Sequence, residues 1–286
     1  MILDEETRNC DRGIDGVHII VCIKQVPYTT EVRINPETNT LIREGVESIV
    51  NPYDMYAVEE ALRIRDRLGC GRITVLSMGP PQVETALREC LALGVDAAVL
   101  LCDRAFAGAD TWSTSLTLSA ALRRLDPGLI LAGKQAIDGD TAQVGPGIAC
   151  HLDLPQVCYV SRICEITARN ATVERLLDHG HERVHVELPA VLTVVKEINE
   201  PRMPSLKGKV RARGANLTVW GRADLDVDAD VVGLAGSPTA VNRIFCPPQR
   251  SGGGLVPGGS AAEVAGNLVK RLRADGVLSD GRESHG

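Results

Sequence analysis

Short apolar runs alternate with longer stretches of helical periodicity through the first half of the chain. "VHIIVCIK" (residues 17–24) predicts a buried strand, and short segments around "EVRIN" and "TLIREG" follow it between turn residues. In "NPYDMYAVEEALRIRDRL", Met55, Val58, Ala61, Leu62 and Ile64 recur at helical spacing. Asn51-Pro52 marks the start of that helix, and Glu59 and Glu60 ahead of Arg63 suit exposed pairing one turn apart. "RITVLSMG", "AAVLLC" and "GLILAG" predict three further strands, separated by the helices "QVETALRECLALG" and "DTWSTSLTLSAALRRL". A last helix is expected over about residues 141–151. Strands alternating with helices of this length build βαβ units, whose right-handed crossovers give a parallel sheet covered on both faces.

Past Leu154 the pattern changes. "QVCYVSRICEI", "ATVERLL", "ERVHVEL" and "AVLTVVKEI" read as extended segments, with a hairpin-like turn at "DHGH", and are expected to add antiparallel strands to the sheet or cap it. From Asn199 onward Pro, Gly and polar residues dominate, which predicts an extended arm with little core of its own, packed on another subunit. A lone helix is expected over about 261–274, before a disordered tail. The chain thus divides into a polar extension (1–16), a Rossmann-like, adenine-nucleotide-binding α/β domain (17–198), a loop and arm (199–260), and a C-terminal helix and tail (261–286).

Composition narrows the function. Hydrophobic residues make up 44% of the 286-residue chain but aromatics only 3%, so the core is aliphatic, as buried parallel strands require. A net charge of -6, with no basic cluster longer than "GKVRAR", excludes a nucleic-acid binder, because phosphate neutralisation needs Lys/Arg surfaces. The nine Cys form no CxxC and sit mostly in apolar runs, which implies reduced thiols and a cytoplasmic protein. His179 and His181 lie in a polar turn and read as solvated. No leader-like segment opens the chain, and no apolar run approaches the roughly 18 residues of a membrane span.

The candidate chemistry centres on "GKQAIDGDTAQVGP" (residues 133–146), where a strand turns into a helix. In an open parallel sheet, ligands sit at the carboxyl ends of the strands near the switch in strand order. Asp140 is placed to cap the next helix, with Gln143 three residues on as in a capping box. The amides of Thr141, Ala142 and Gln143 then offer donors at the positive end of a helix dipole, a site suited to phosphate. The carboxylates of Asp138 and Asp140 oppose that reading, and a plain capped helix fits the same residues. "GLILAGK" matches GxxxxGK, but Gln135 follows and the intervening residues are strand-like, so it is no phosphate cradle. No GxGxxG follows the first strand, and no nucleophile–His–acid pattern is present, so no catalytic side chain is assigned. Loops at Cys22, Asn51 to Asp54, Met78, and Asp110 with Thr111 and Thr114 end on the same edge. Their convergence is what favours a nucleotide pocket.

These motifs, with "MGPPQVETALRECLALGVDAAVLLCD" and "LPAVLTVVKEINEPRMPSLKG", resemble the β subunit of electron-transferring flavoproteins over roughly residues 17–213. The resemblance implies a heterodimer with an α subunit that carries a redox FAD. Conventional members hold a structural AMP in the β subunit, whereas a bifurcating and nitrogen-fixation (Fix-type) branch holds a second FAD there. "DGDTAQVGP", "TVVKEINEPR" and "GADTWSTS" are similar to that second branch, so FAD is expected, with AMP as the alternative. Carried over, the adenylate half meets Cys22, Asn51, Pro52, Tyr53, Asp54 and Met78. The phosphates meet Asp140, Thr141, Ala142, Gln143, Val144, Gly145 and Pro146, while Asp110, Thr111 and Thr114 lie near the flavin. Leu206 stands at the anchor position for an acyl-CoA dehydrogenase-like or quinone-reductase partner, although Met203 replaces the usual aromatic. The branch implies electrons drawn from NADH and passed through the α-subunit flavin and to ferredoxin or flavodoxin.

Overall fold

The computed structural model describes residues 17–28, 34–35, 40–41, 48–242 and 253–278. The chain divides into two compact units, 1–244 and 245–286. The extension at 1–16, most of the Gly-rich "CPPQRSGGG" stretch and the last eight residues lie outside the described residues.

In the first unit the elements run β1 (His18–Cys22), β2 (Gln25–Pro27), β3 (Ile34–Asn35), β4 (Thr40–Leu41), β5 (Ser48–Val50), α1 (Pro52–Leu68), β6 (Arg72–Met78), α2 (Glu84–Leu93) and β7 (Ala97–Leu101). Then come α3 (Thr111–Leu125), β8 (Leu129–Gly133), α4 (Val144–Leu152), β9 (Gln156–Ile166), β10 (Asn170–Leu177), β11 (Gly180–Glu187) and β12 (Val191–Val194). The unit closes with α5 (Leu206–Gly214), β13 (Thr218–Trp220) and α6 (Arg222–Leu225). Nine strands form one sheet in the order β11-β10-β9-β12-β8-β1-β6-β7-β13. β12, β8, β1, β6, β7 and β13 run parallel. The β2/β5 and β3/β4 pairs are antiparallel ribbons of their own.

Alternation along the central strands feeds two cores. Ile19 and Val21 of β1, with Leu129 and Leu131 of β8, pack against α1 and α2. Ile20 and Cys22, with Ile130 and Ala132, pack against α3 and α4. Strands buried on both faces need apolar residues at every position, which is why β1 and β8 read as continuous apolar runs.

Three expectations are corrected. "AVLTVV" is not an antiparallel addition: β12 lies parallel between β8 and β9, and only the β9-β10-β11 meander is antiparallel. Residues 199–225 are not an extended arm. α5 packs on α2 with Ala212 buried, and β13 pairs with β7 at the sheet edge. Helix α5 lacks an apolar stripe in sequence because it seats on α2 through backbone contacts, with Arg88 donating to Ala212 O and Arg211 to Leu91 O. Glu59 and Glu60 are not an exposed face of α1. Glu59 does pair with Arg63 one turn on (2.8 Å), but both glutamate side chains are buried, and they also hold the loop that follows β12 through Arg202 and Asn199.

In the second unit, α7 (Ala261–Ala274) matches the predicted helix. Ser260 caps it by accepting the Glu263 N–H.

Candidate functional site

The strand order reverses between β1 and β8. Chain progress from β1 runs outward through β6 and β7, whereas β8 and β12 lie on the other side. A crevice opens at such a switch point beyond the carboxyl ends of the strands, and three helix starts meet there.

The first is α1. Asn51 occupies its cap position but makes no capping bond. Its side chain instead donates Nδ2 to Gln135 O (2.8 Å) and accepts the Ile137 N–H on Oδ1 (3.2 Å), pinning the loop after β8. Asp54, only 6% exposed, accepts the N–H of Lys24 (2.7 Å) and of Gly133 (3.1 Å). Burial pushes its carboxyl up to about 7, against the hydrogen bonds from Asn51, Lys24 and Gly133 that favour the ionised form. Pro52 and Tyr53 complete the turn, and Tyr53 packs on Gly133. Cys22, at the end of β1, has its thiol pushed up to about 12 by burial, with Asp54 adding to it, so the group at this edge is a neutral thiol.

The second is α4. It begins at Val144, later than predicted, and Asp140 does not cap it. Asp140 and Ala142 both take positive φ (56° and 55°), which breaks the helix before Gln143. The Asp140 carboxylate accepts from Gln135 Nε2, and no capping box forms. Asp138 is neutralised by Lys24 Nζ at 2.7 Å. Both carboxylates that opposed an anion site are therefore turned to loop partners. The N–H groups of Val144 and Gly145 open the helix and have no partner within it, and Pro146 has none to offer.

Gly145 seats α4 on the sheet: a Cβ there would strike the Cγ2 methyl of buried Thr193 in β12. Thr193 also accepts the Tyr159 N–H at 3.2 Å through its hydroxyl. That N–H is set free by a bulge, where Cys158 and Tyr159 of β9 both face Thr193, and it leaves Tyr159 at φ 62°. The Lys134 ammonium lies 5.5 Å from the Tyr159 ring centroid. Replacing Thr193 by valine keeps the methyl group but removes this acceptor. The expected cost is about 1 kcal/mol for the lost hydrogen bond of a part-buried donor, read as a lower urea midpoint; serine, which keeps the hydroxyl, should lose less.

The third is α3. Asp110 caps it, accepting the Ser113 N–H at 3.0 Å. Its other oxygen takes the N–H and hydroxyl of Thr239, so the carboxylate is committed. Thr111 reaches across to the loop before α4, its hydroxyl 3.5 Å from that of Thr141. Trp112 meets the His151 ring of α4 edge-on at 4.6 Å. Thr114 stands in the first turn of α3, and Met78 closes β6 beside β1.

The predicted residues from Cys22 to Pro146 thus gather on one edge, while Leu206 stands apart at the start of α5. Lys24, which closes the first strand, belongs to the same edge as expected; Gly133, Lys134, Gln135, Tyr159 and Thr193 belong there too and were missed as site residues. Gly133 to Gln135 lay inside the motif. Thr193 stood out only as a hydroxyl in an apolar strand, and nothing in the sequence marks the bulge at Tyr159.

A second surface surrounds Leu206. Arg202 donates Nε to Glu59 Oε2 (2.8 Å) and Nη2 to Asp66 (3.0 Å), and Asn199 donates to Tyr56 O and Glu60 (both 3.0 Å). Ser205 caps α5. This framework presents Met203 and Leu206, 87% and 80% exposed, to solvent.

Residues 38–225 match the model of the electron transfer flavoprotein domain. The chain belongs to the electron transfer flavoprotein family. It is 48% identical over 263 residues to caffeyl-CoA reductase-Etf complex subunit CarD of Acetobacterium woodii, covering 92% of this chain and all of that protein. It is 50% identical over the same length to the electron transfer flavoprotein subunit beta of Thermoanaerobacterium thermosaccharolyticum, again covering 92% of this chain and all of that one. Protein FixA of Azotobacter vinelandii is 47% identical over 242 residues, covering 82% of this chain and 86% of its own. As a member of the electron transfer flavoprotein family, the chain serves flavoprotein electron transfer. Among the described residues, no helix is long and apolar enough to cross a membrane.

Proposed function

We propose that this chain is the β subunit of a heterodimeric electron transfer flavoprotein and binds FAD in the crevice between β1 and β8. The observation that carries the reading is the meeting of the α4 and α3 starts, with Thr141 and Thr111 hydroxyls 3.5 Å apart, over a switch point whose nearby carboxylates are already engaged. The donor set suits a pyrophosphate: paired N–H groups at Val144 and Gly145, and two hydroxyls. A flavin bound here supplies hydride acceptance from NADH and release of single electrons, which no side chain of the protein can provide. The chain's own residues bind the nucleotide, shield it and fix its orientation, and none serves as an acid or base. Leu206 and Met203 form the docking point for a dehydrogenase-like or quinone-reducing partner, and ferredoxin or flavodoxin takes the second electron.

Its relatives CarD and FixA support this branch, the first by name a subunit of a reductase complex. The test is acid release of nucleotides from the chain co-purified with its α subunit. FAD in excess of the one flavin on α is expected. AMP in equal amount to a single FAD would make it a conventional β subunit, and no nucleotide on β would overturn the site. Replacing Thr141 by valine together with Gln143 by leucine is expected to lower nucleotide content; unchanged content would displace the pyrophosphate from this corner.

A further inference from the structure

The strand ends at the switch point diverge around a single side chain. β1 and β8 pair as far as Cys22 and Ala132. Beyond that, the Ile23 N–H turns to Leu76 O of β6, and the Lys134 N–H turns to Val194 O of β12, each at 2.9 Å. The two N–H groups left in the opening, those of Lys24 and Gly133, both go to Asp54. The wedge is tight, because Gly133 sits against the backbone of Tyr53, where a Cβ would come within 2.6 Å of a carbonyl carbon. Asn51, on the same helix start, holds residues 135 and 137 of the loop that leads to α4.

We propose that Asp54 is a positioning residue, not a nucleotide contact. Its carboxylate holds the ends of β1 and β8 apart and sets where the loop carrying the α4 donors leaves the sheet. This rests on the nucleotide-binding reading of the crevice. Its two oxygens take two backbone N–H donors, with a further hydrogen bond from the Asn51 side chain, a set that suits an acceptor-only carboxylate. A carboxamide satisfies one donor and turns its own N–H₂ on the other.

The titratable and charged groups facing Asp54 are few. The Cys22 thiol is pushed up to about 12, the Cys90 thiol on α2 is raised further by burial, and Lys24 is paired with Asp138. Asp54, near 7, is therefore the group here that changes charge around neutral pH. Because burial raises the group above its free value, the desolvated site favours the protonated carboxyl, whereas the ionised form favours a loosened, solvated loop. The loop therefore loosens as the pH rises through about 7.

The test uses the heterodimer and follows nucleotide release together with the amide resonances of Lys24 and Gly133. For Asp54→Asn, release at least tenfold faster than wild type is expected, with one of the two amides losing exchange protection. In wild type, release should quicken as pH rises through about 7, and both amide shifts should move with it; this arm holds even if the variant does not fold. Unchanged release in Asp54→Asn, or a wild-type rate flat from pH 6 to 8, overturns the proposal. A wild-type heterodimer with no nucleotide on this chain overturns the site reading itself, while nucleotide retained equally by both proteins overturns only the role of Asp54.

Discussion

Replacing Gly133 with alanine is expected to be the most damaging single change at the crevice. The added Cβ would lie 2.6 Å from the Tyr53 carbonyl carbon and 2.7 Å from its Cβ, and would press on the Asp54 carboxylate. Tyr53 belongs to the first turn of α1, and Gly133 is the last residue of β8, so neither backbone can give way alone. Overpacking of this kind costs about 3 kcal/mol or more, and the clash also breaks the Gly133–Asp54 bond. A fall in melting temperature of roughly 6–12 °C follows for a domain of this size. An alanine variant that melts with wild type and keeps its nucleotide would show that the helix start and the strand end are not in the contact described.

The second large effect is expected at Leu206, in binding and not in folding. At 80% exposure the side chain contributes little to its own domain, yet it stands on a braced framework beside Met203. A central apolar anchor truncated to alanine costs about 2 kcal/mol or more of binding, roughly thirtyfold in affinity. Leu206→Ala should therefore raise the KM for the electron-accepting flavoprotein partner by that order, while melting temperature and bound nucleotide stay as in wild type. An unchanged KM would move the docking point elsewhere. A fallen melting temperature would mean that Leu206 packs on its own domain.

Much of the fold was legible because its signals are local. The apolar runs of β1, β6, β7 and β8 are continuous since both faces are covered, and α1 announces its buried side by spacing. The place of β12 was not legible. A run such as "AVLTVV" fits a central strand of either direction, and its insertion between β8 and β9 is settled by long-range pairing. Helix α5 was hidden because it docks through arginine-to-carbonyl bonds, which leave no hydrophobic period. Glu59 and Glu60 were read as solvent-facing because their partners, Arg202 and Asn199, lie more than 130 residues away.

At the site, the residue types were legible and their work was not. Asn51 and Asp54 were expected to meet a ligand; the sequence did not show that the Asn51 side chain also bonds the loop after β8 and the Asp54 carboxylate the ends of β1 and β8. Asp140 was expected to cap α4, but two residues of positive φ delay the helix, and backbone handedness at non-glycine positions has no reliable sequence mark. Tyr159 is the clearest case: a bulky residue in a left-handed conformation, held there by a hydroxyl from another strand.

The brace on the docking loop has a further outcome. On its upstream side Arg202 and Asn199 fasten it to α1, and on its downstream side α5 leads straight into β13 on the sheet edge. A segment anchored at both flanks so close to its tip has no slack to swing. It is a fixed stud, and under the docking role proposed for Leu206, alignment with a partner is expected to come from movement of the whole subunit.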